Sequence, residues 1–487
     1  MLFNSWGYLL FLLLVVPLHW WLGSQRLRLW LLVGASVGFY SMWRWQFSLL
    51  VLFSAGVDFV VAQRIAASTQ PRRRRHWLLL SLVINLGLLG AFKYTYFVYD
   101  NVRLLAGALG SDLPPLSDLG IRIILPLGIS FYTFQTISYS IDVYRRVITP
   151  TRSLASFLCY VTFWPQLIAG PVLRAGEVIP QLEAHRRFLA RDLSHGLTLV
   201  VAGLFKKVVL ADSLAPLVDH AFALEPGSLN ALDVWVAAFL FGFQIYFDFS
   251  GYSDIAIGSA RMLGIVFPRN FDWPYLAKSP REFWSRWHIS LSSWIRDYLY
   301  APLTGRRFQT RSQGGIGEVA ASDDSRRHLA LLLSWFIMGL WHGAAWTFAV
   351  WGLYHAAIVL LYRAVAPLAA LPERHPTLAW ALLLPLAMAG WIPFRARSLE
   401  QAAVLTGRLL DPRGYAIAGH AVPLGAYFWV AVLLAAMVAL HALAQRDRAH
   451  PFPAWLRNAA ATAATAGMVC AILACLRSAQ QFIYFQF

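Results

Sequence analysis

His288 and His342 stand 54 positions apart, each in an apolar, aromatic stretch of the sequence. A neutral imidazole can take a proton from an attacking hydroxyl, which acyl transfer from a thioester requires. His342 falls inside residues 329–362, which contain no Asp, Glu, Lys or Arg. An ionisable side chain at membrane depth is costly and points to a functional group, and burial would keep the imidazole neutral. Trp341 and Gly343 flank it, with Gly339 nearby, and the small residues Gly343, Ala344 and Ala345 let a substrate or another backbone come close; a packing role for the histidine stays open beside the catalytic one. The indole N–H of Trp341 is a candidate donor to a developing oxyanion.

His288 lies in residues 279–302, SPREFWSRWHISLSSWIRDYLYAP. Ser279 followed by Glu282 is a capping box, and Pro280 suits the first helical position. A helix running from there towards Pro302 puts Trp284, His288, Leu291 and Ile295 on one face, with the charged residues elsewhere. Such a helix is amphipathic or lines a cavity, and Trp284 and Trp287 are candidate lining residues. A satisfied structural histidine is the alternative for His288. Asp248, in YFDFSGYSD at 246–254, and Gln166 are further polar groups that could line the same cavity, with internal hydrogen bonding as the competing explanation. So too are Asp58, Asp142, Lys206, Lys207 and Asp254.

Other chemistries lack their residues. The sequence has no P-loop and no H-E-x-x-H zinc site. No histidine is followed by an aspartate five positions on. The three cysteines, Cys159, Cys470 and Cys475, sit in apolar surroundings and give neither metal spacing nor a disulfide framework. No metal and no permanently bound cofactor is expected.

The elements that must position these residues are membrane helices. Of 487 residues, 58% are hydrophobic and 13% charged, against about a quarter charged in soluble domains. Residues 1–25, 329–362 and 414–445 carry no charged side chain, and about 20 helical residues cross a ~30 Å hydrocarbon core. Hydropathy places spans at 5–22, 29–43, 46–63, 77–95, 194–212, 231–250, 329–341, 345–362, 376–394, 424–443 and 458–476. The expected fold is all-α and polytopic, with roughly 10–12 spans in one membrane domain. Residues 121–141 and 154–174 are apolar but interrupted by Pro126, Gly128, Pro165, Gly170 and Pro171, which predicts broken or re-entrant helices around a central tunnel.

The net charge of +17 would suggest nucleic acid in a soluble protein. Here the basic residues lie between apolar runs, so the expected partner is membrane lipid, with no nucleic acid. Arg26 and Arg28 follow the first span and Arg72–Arg75 the third, which places both turns in the cytoplasm and the N-terminus outside. No positive n-region precedes the first span, so it is expected to be retained rather than cleaved. Residues 305–327 are expected to form a mobile cytoplasmic loop.

The stretches FWSRWHISLSSWIRDYLYAPL and GLWHGAAWTFAVWGLYH closely resemble the membrane-bound O-acyltransferase superfamily, in its alginate, peptidoglycan and cellulose O-acetyltransferase branch. PLGISFYTFQTISYSIDVYR, FWPQLIAGPVLR, GLFKKVVLAD, YFDFSGYSDIAIG and the terminal FIYFQF resemble it too, so the likeness covers most of residues 120–363. The resemblance implies that His342 is the catalytic histidine and His288 the second functional one. It also implies a bacterial inner-membrane enzyme with acetyl-CoA as donor. A separate periplasmic protein would complete transfer to a polysaccharide such as alginate, peptidoglycan or cellulose. Segment 305–327 looks longer than is usual for the family. Transfer of another acyl group, such as D-alanyl to teichoic acid or a lipid or protein acylation, is the alternative. A transporter without chemistry is a more distant one.

Overall fold

The structure is a computed structural model that describes residues 2–167, 170–305, 324–415, 419–475 and 482–483. Among these residues the regular elements are helices, with no strand. Seven are long and apolar enough to cross a membrane: 25–67, 71–108, 231–262, 346–364, 376–395, 424–449 and 454–475. A shorter apolar helix, Trp6–Trp21, precedes them. The chain is therefore a multi-pass membrane protein. Outward-facing Leu10, Leu13 and Leu14 are exposed, as expected of a surface solvated by lipid rather than water.

The 43-residue helix Gln25–Ala67 corresponds to two predicted spans. It loses helical geometry at Arg44 (φ −156°, ψ 109°), between the stretches 29–43 and 46–63. The broken segments are also found. Helix Ile129–Tyr144 starts behind Gly128, whose φ of +71° favours glycine, and twelve successive residues, 129–140, are buried. Helix Leu154–Thr162 stops at Phe163 (φ −52°, ψ 110°), and the short helix Trp164–Leu167 follows. Of the expected loop at 305–327, residues 306–323 lie outside the described residues.

The described residues form two compact units. The first comprises residues 1–197, 256–269 and 290–327. Its helices 25–67, 71–89 and 129–144 are tied together at Asp58, which is fully buried. That carboxylate accepts hydrogen bonds from Ser81, from Asn85 Nδ2 (2.7 Å) and from Ser140 (2.7 Å). Asn85 Oδ1 in turn accepts from Ser54 and Thr136. Neutral donors thus satisfy the buried charge, and Asp58 fixes helix packing. Asp142 accepts from the Tyr298 hydroxyl at 2.7 Å.

The second unit comprises residues 198–255, 270–289 and 328–487. Helices Asp324–His342 and Trp346–Ala364 form a hairpin whose backbones touch. A Cβ on Gly339 would meet the Phe348 carbonyl at 2.2 Å, and one on Gly352 would meet the Trp335 carbonyl at 2.2 Å. The small residues beside His342 therefore serve helix–helix approach. Lys207 is buried between Asp212 (2.7 Å) and Asp248 (2.8 Å).

One expectation is corrected. Residues 279–302 do not form a continuous helix. Ser279 does cap the Glu282 N–H, and Pro280 opens the helix, but it ends at Arg286. His288 sits in the break, in the left-handed region (φ 43°), and a new helix runs Ile289–Ile295. The reason is tertiary: the Ile289 N–H donates to the Asn270 carbonyl at 2.9 Å. His288 therefore does not share a helical face with Trp284, Leu291 and Ile295.

Candidate active site

In the second unit, chain geometry places His288 at a junction rather than on a helix face. Left-handed backbone costs a residue with a Cβ about 1–2 kcal/mol, so the surroundings must over-determine it. They do so on both sides of the ring. His288 Nδ1 lies 3.2 Å from Asn270 Oδ1, and Asn270 Nδ2 donates to Ser253 Oγ at 3.1 Å. With Asn270 Oδ1 facing the ring as acceptor, the matching tautomer has the proton on Nδ1 and the lone pair on Nε2. Nε2 is buried and has no hydrogen-bond partner among the described residues. The Phe249 ring meets the imidazole edge-on at 4.5 Å. His288 lies outside the seven long apolar helices, and burial holds its imidazole well below the usual histidine range, hence neutral.

His342 is the last residue of helix Asp324–His342, followed at once by the turn Gly343–Ala345. It is 4% exposed. Its ring is boxed by Trp341 (4.9 Å), Trp351 (4.9 Å) and Phe394 (5.4 Å), all at steep interplanar angles. Edge-to-face contacts of this kind contribute about 0.5–1.5 kcal/mol each beyond burial and fix the ring plane. Trp341 also faces His288 at 6.3 Å, so one indole touches both histidines.

The other predicted residues divide between the units. Trp287 is buried against Trp391 (4.8 Å) and Phe271 (5.1 Å), and Trp391 lies 6.2 Å from Trp351. Trp284 lies 5.8 Å from Trp351. Trp284, Trp287 and Trp341 thus belong to the same aromatic cluster as the histidines. Asp248 reaches the site indirectly. It pairs with Lys207 and accepts from the Ile483 N–H at 2.7 Å, while its neighbour Phe249 touches both His288 and Phe482. Gln166 belongs to the first unit, where its Nε2 donates to the Tyr160 carbonyl.

Sequence reasoning did not single out Asn270, Trp351, Phe394 or His355. His355 is a third buried histidine, ringed by Trp284 (4.9 Å), Trp351 (5.0 Å) and Trp335 (5.8 Å). Trp351 therefore lies between His342 and His355, four residues before the latter on one helix face. That spacing was available as a signal. Asn270, in an irregular stretch, carried none. Among the described residues no cluster of His, Cys, Asp or Glu could hold a metal ion.

Two buried histidines, each with its plane fixed by aromatic edges and one with an open nitrogen, form a site suited to proton transfer in a low-dielectric setting. The family model for MBOAT, the membrane-bound O-acyltransferase family, matches residues 145–388 and so contains both histidines. The chain is 41% identical to a probable alginate O-acetylase AlgI of Azotobacter vinelandii, over 80% of this chain and 75% of that protein. It is 36% identical to a peptidoglycan O-acetyltransferase of Helicobacter pylori, over 77% and 72%. A teichoic acid D-alanyltransferase of Streptococcus thermophilus is 30% identical over 47% of this chain and 54% of its own length. The chain belongs to the membrane-bound O-acyltransferase family. It is an acyltransferase embedded in the membrane.

Proposed function

We propose that this protein transfers acetyl groups from cytoplasmic acetyl-CoA, across the bacterial inner membrane, towards an extracytoplasmic polysaccharide. The observation that carries the reading is the pair His288 and His342 in one aromatic cluster, with Trp341 against both. Support for acetyl and for a polysaccharide comes from the relatives, which are described as alginate and peptidoglycan O-acetylating proteins.

In the proposed reaction an acceptor hydroxyl attacks the thioester carbonyl carbon while His342 takes the hydroxyl proton. The C–S bond then breaks, the thiolate leaves with a proton, and an ester remains. The Trp341 indole N–H is the proposed donor to the tetrahedral oxyanion. His288, with its Nε2 lone pair, orients the acceptor or relays the proton. A central tunnel would admit the pantetheine arm, and a separate periplasmic protein would complete transfer to the sugar. The basic residues at Arg26 and Arg72–Arg75 support a cytoplasmic side there and an N-terminus outside, by the positive-inside rule.

The test is turnover of acetyl-CoA by the purified protein with a hydroxyl acceptor. Release of free CoA that depends on His342 supports the reading. No release from acetyl-CoA, with transfer from a D-alanyl thioester instead, would move the protein to the teichoic acid type of reaction.

A further inference from the structure

The turn between the first two membrane helices holds a charge arrangement that acyl transfer does not use. Helix Trp6–Trp21 ends and helix Gln25–Ala67 begins there. Sequence logic puts Arg28 at the lipid headgroups, yet the side chain is buried, 7% exposed. Its Nε donates to the Leu22 carbonyl (2.7 Å), one Nη donates to the Arg186 carbonyl (2.8 Å), and the guanidinium stacks on Trp20. The Arg186 side chain is held likewise, donating to the Gly264 carbonyl (2.6 Å) and to Gln181 Oε1 (3.2 Å).

Both guanidiniums line one narrow cleft, together with His19, Gln25, Gln181 and Leu32. No carboxylate lines it, and among the described residues neither arginine has an acidic partner. His19 is 4% exposed, and its Nδ1 is buried with no hydrogen-bond partner among the described residues. Carbonyls orient a guanidinium but do not neutralise it, and an uncompensated buried cation is costly. Each guanidinium carries five N–H donors, of which these contacts use two. The cleft therefore has spare donors, two positive charges and no anion.

Its depth and walls narrow the choice of anion. Trp21, 81% exposed, and Trp20 mark the level where indoles sit between headgroups and hydrocarbon. Leu29, Leu32 and Leu263 make the cleft's apolar side. A ligand that fits has a phosphate at one end and hydrocarbon at the other. We propose that this cleft binds the phosphate of an anionic phospholipid, with Arg28 and Arg186 as its ligands and His19 as an added donor.

The test uses the full chain purified in detergent. Melting temperature and native mass spectrometry are read with added phosphatidylglycerol, with phosphatidylcholine, with inorganic phosphate and with coenzyme A. Phosphatidylglycerol is expected to be retained and to raise the melting temperature more than the other three. Loss of charge-assisted hydrogen bonds in R28Q/R186Q should weaken it about tenfold or more, while H342A binds it as wild type does. Equal stabilisation by phosphatidylcholine, or undiminished binding by the double variant, would overturn the proposal. Phosphate or coenzyme A matching phosphatidylglycerol would assign the site to a soluble phosphate and overturn the lipid reading. The four-ligand comparison on the wild-type chain decides the matter even if the double variant fails to accumulate.

Discussion

The side-chain oxygen of Asn270 lies 3.2 Å from His288 Nδ1, and the same residue's backbone carbonyl accepts from Ile289, so one asparagine fixes both the ring and the chain at His288. Replacing it with Leu removes the acceptor and leaves a buried imidazole N–H unpaired, a cost of about 1–3 kcal/mol. Acyl transfer by Asn270→Leu is expected to fall at least about tenfold, through a misoriented imidazole. Assays at matched membrane protein levels check this; unaltered turnover per molecule would show that His288 needs no such orientation.

His288→Asn tests the ring itself. Asparagine tolerates left-handed backbone, so the junction at 287–289 should persist. The variant is expected to accumulate normally and to lose about 10²–10⁴-fold in rate, the usual contribution of a proton-transfer group. Ester formation and immunoblot abundance, measured together, separate lost chemistry from lost protein.

The hairpin that carries His342 leaves no room at Gly339, where a Cβ would lie 2.2 Å from the Phe348 carbonyl. Backbone cannot yield as a flexible side chain can, so Gly339→Ala should cost about 1–3 kcal/mol by overpacking. The melting temperature in detergent is expected to drop, and Gly352→Ala to behave alike. Gly34→Ala, with open space around the added methyl, is the control expected to change nothing.

The ion triad gives an ordering. Lys207→Met leaves Asp212 and Asp248 buried without their cation, a loss of about 3–5 kcal/mol. Asp248→Asn leaves Lys207 paired with Asp212 and should cost less. Thermal unfolding in detergent is expected to rank wild type above Asp248→Asn and Asp248→Asn above Lys207→Met; the reverse order would contradict the triad.

Much of this was legible in the sequence, because lipid imposes strong rules. Charge-free runs marked helices, Pro and Gly marked the breaks at Gly128 and Phe163, and Ser279 marked a helix start. The interruption at His288 was not legible. It depends on Asn270, eighteen residues upstream, pairing with Ile289 against a local pattern that favours a continuing helix. Arg28 likewise reads as a headgroup anchor but is buried by Trp20 and the Arg186 backbone. Tertiary partners decided both cases, and periodicity does not report them.

The most direct test is ester-linked acetate on extracytoplasmic polymers in cells carrying wild-type protein, His342→Ala, or no protein. The account predicts that acetate on one polymer falls to the same low level in the last two, with His342→Ala still present in the membrane. Wild-type acetate in cells expressing His342→Ala would contradict the central role given to that histidine.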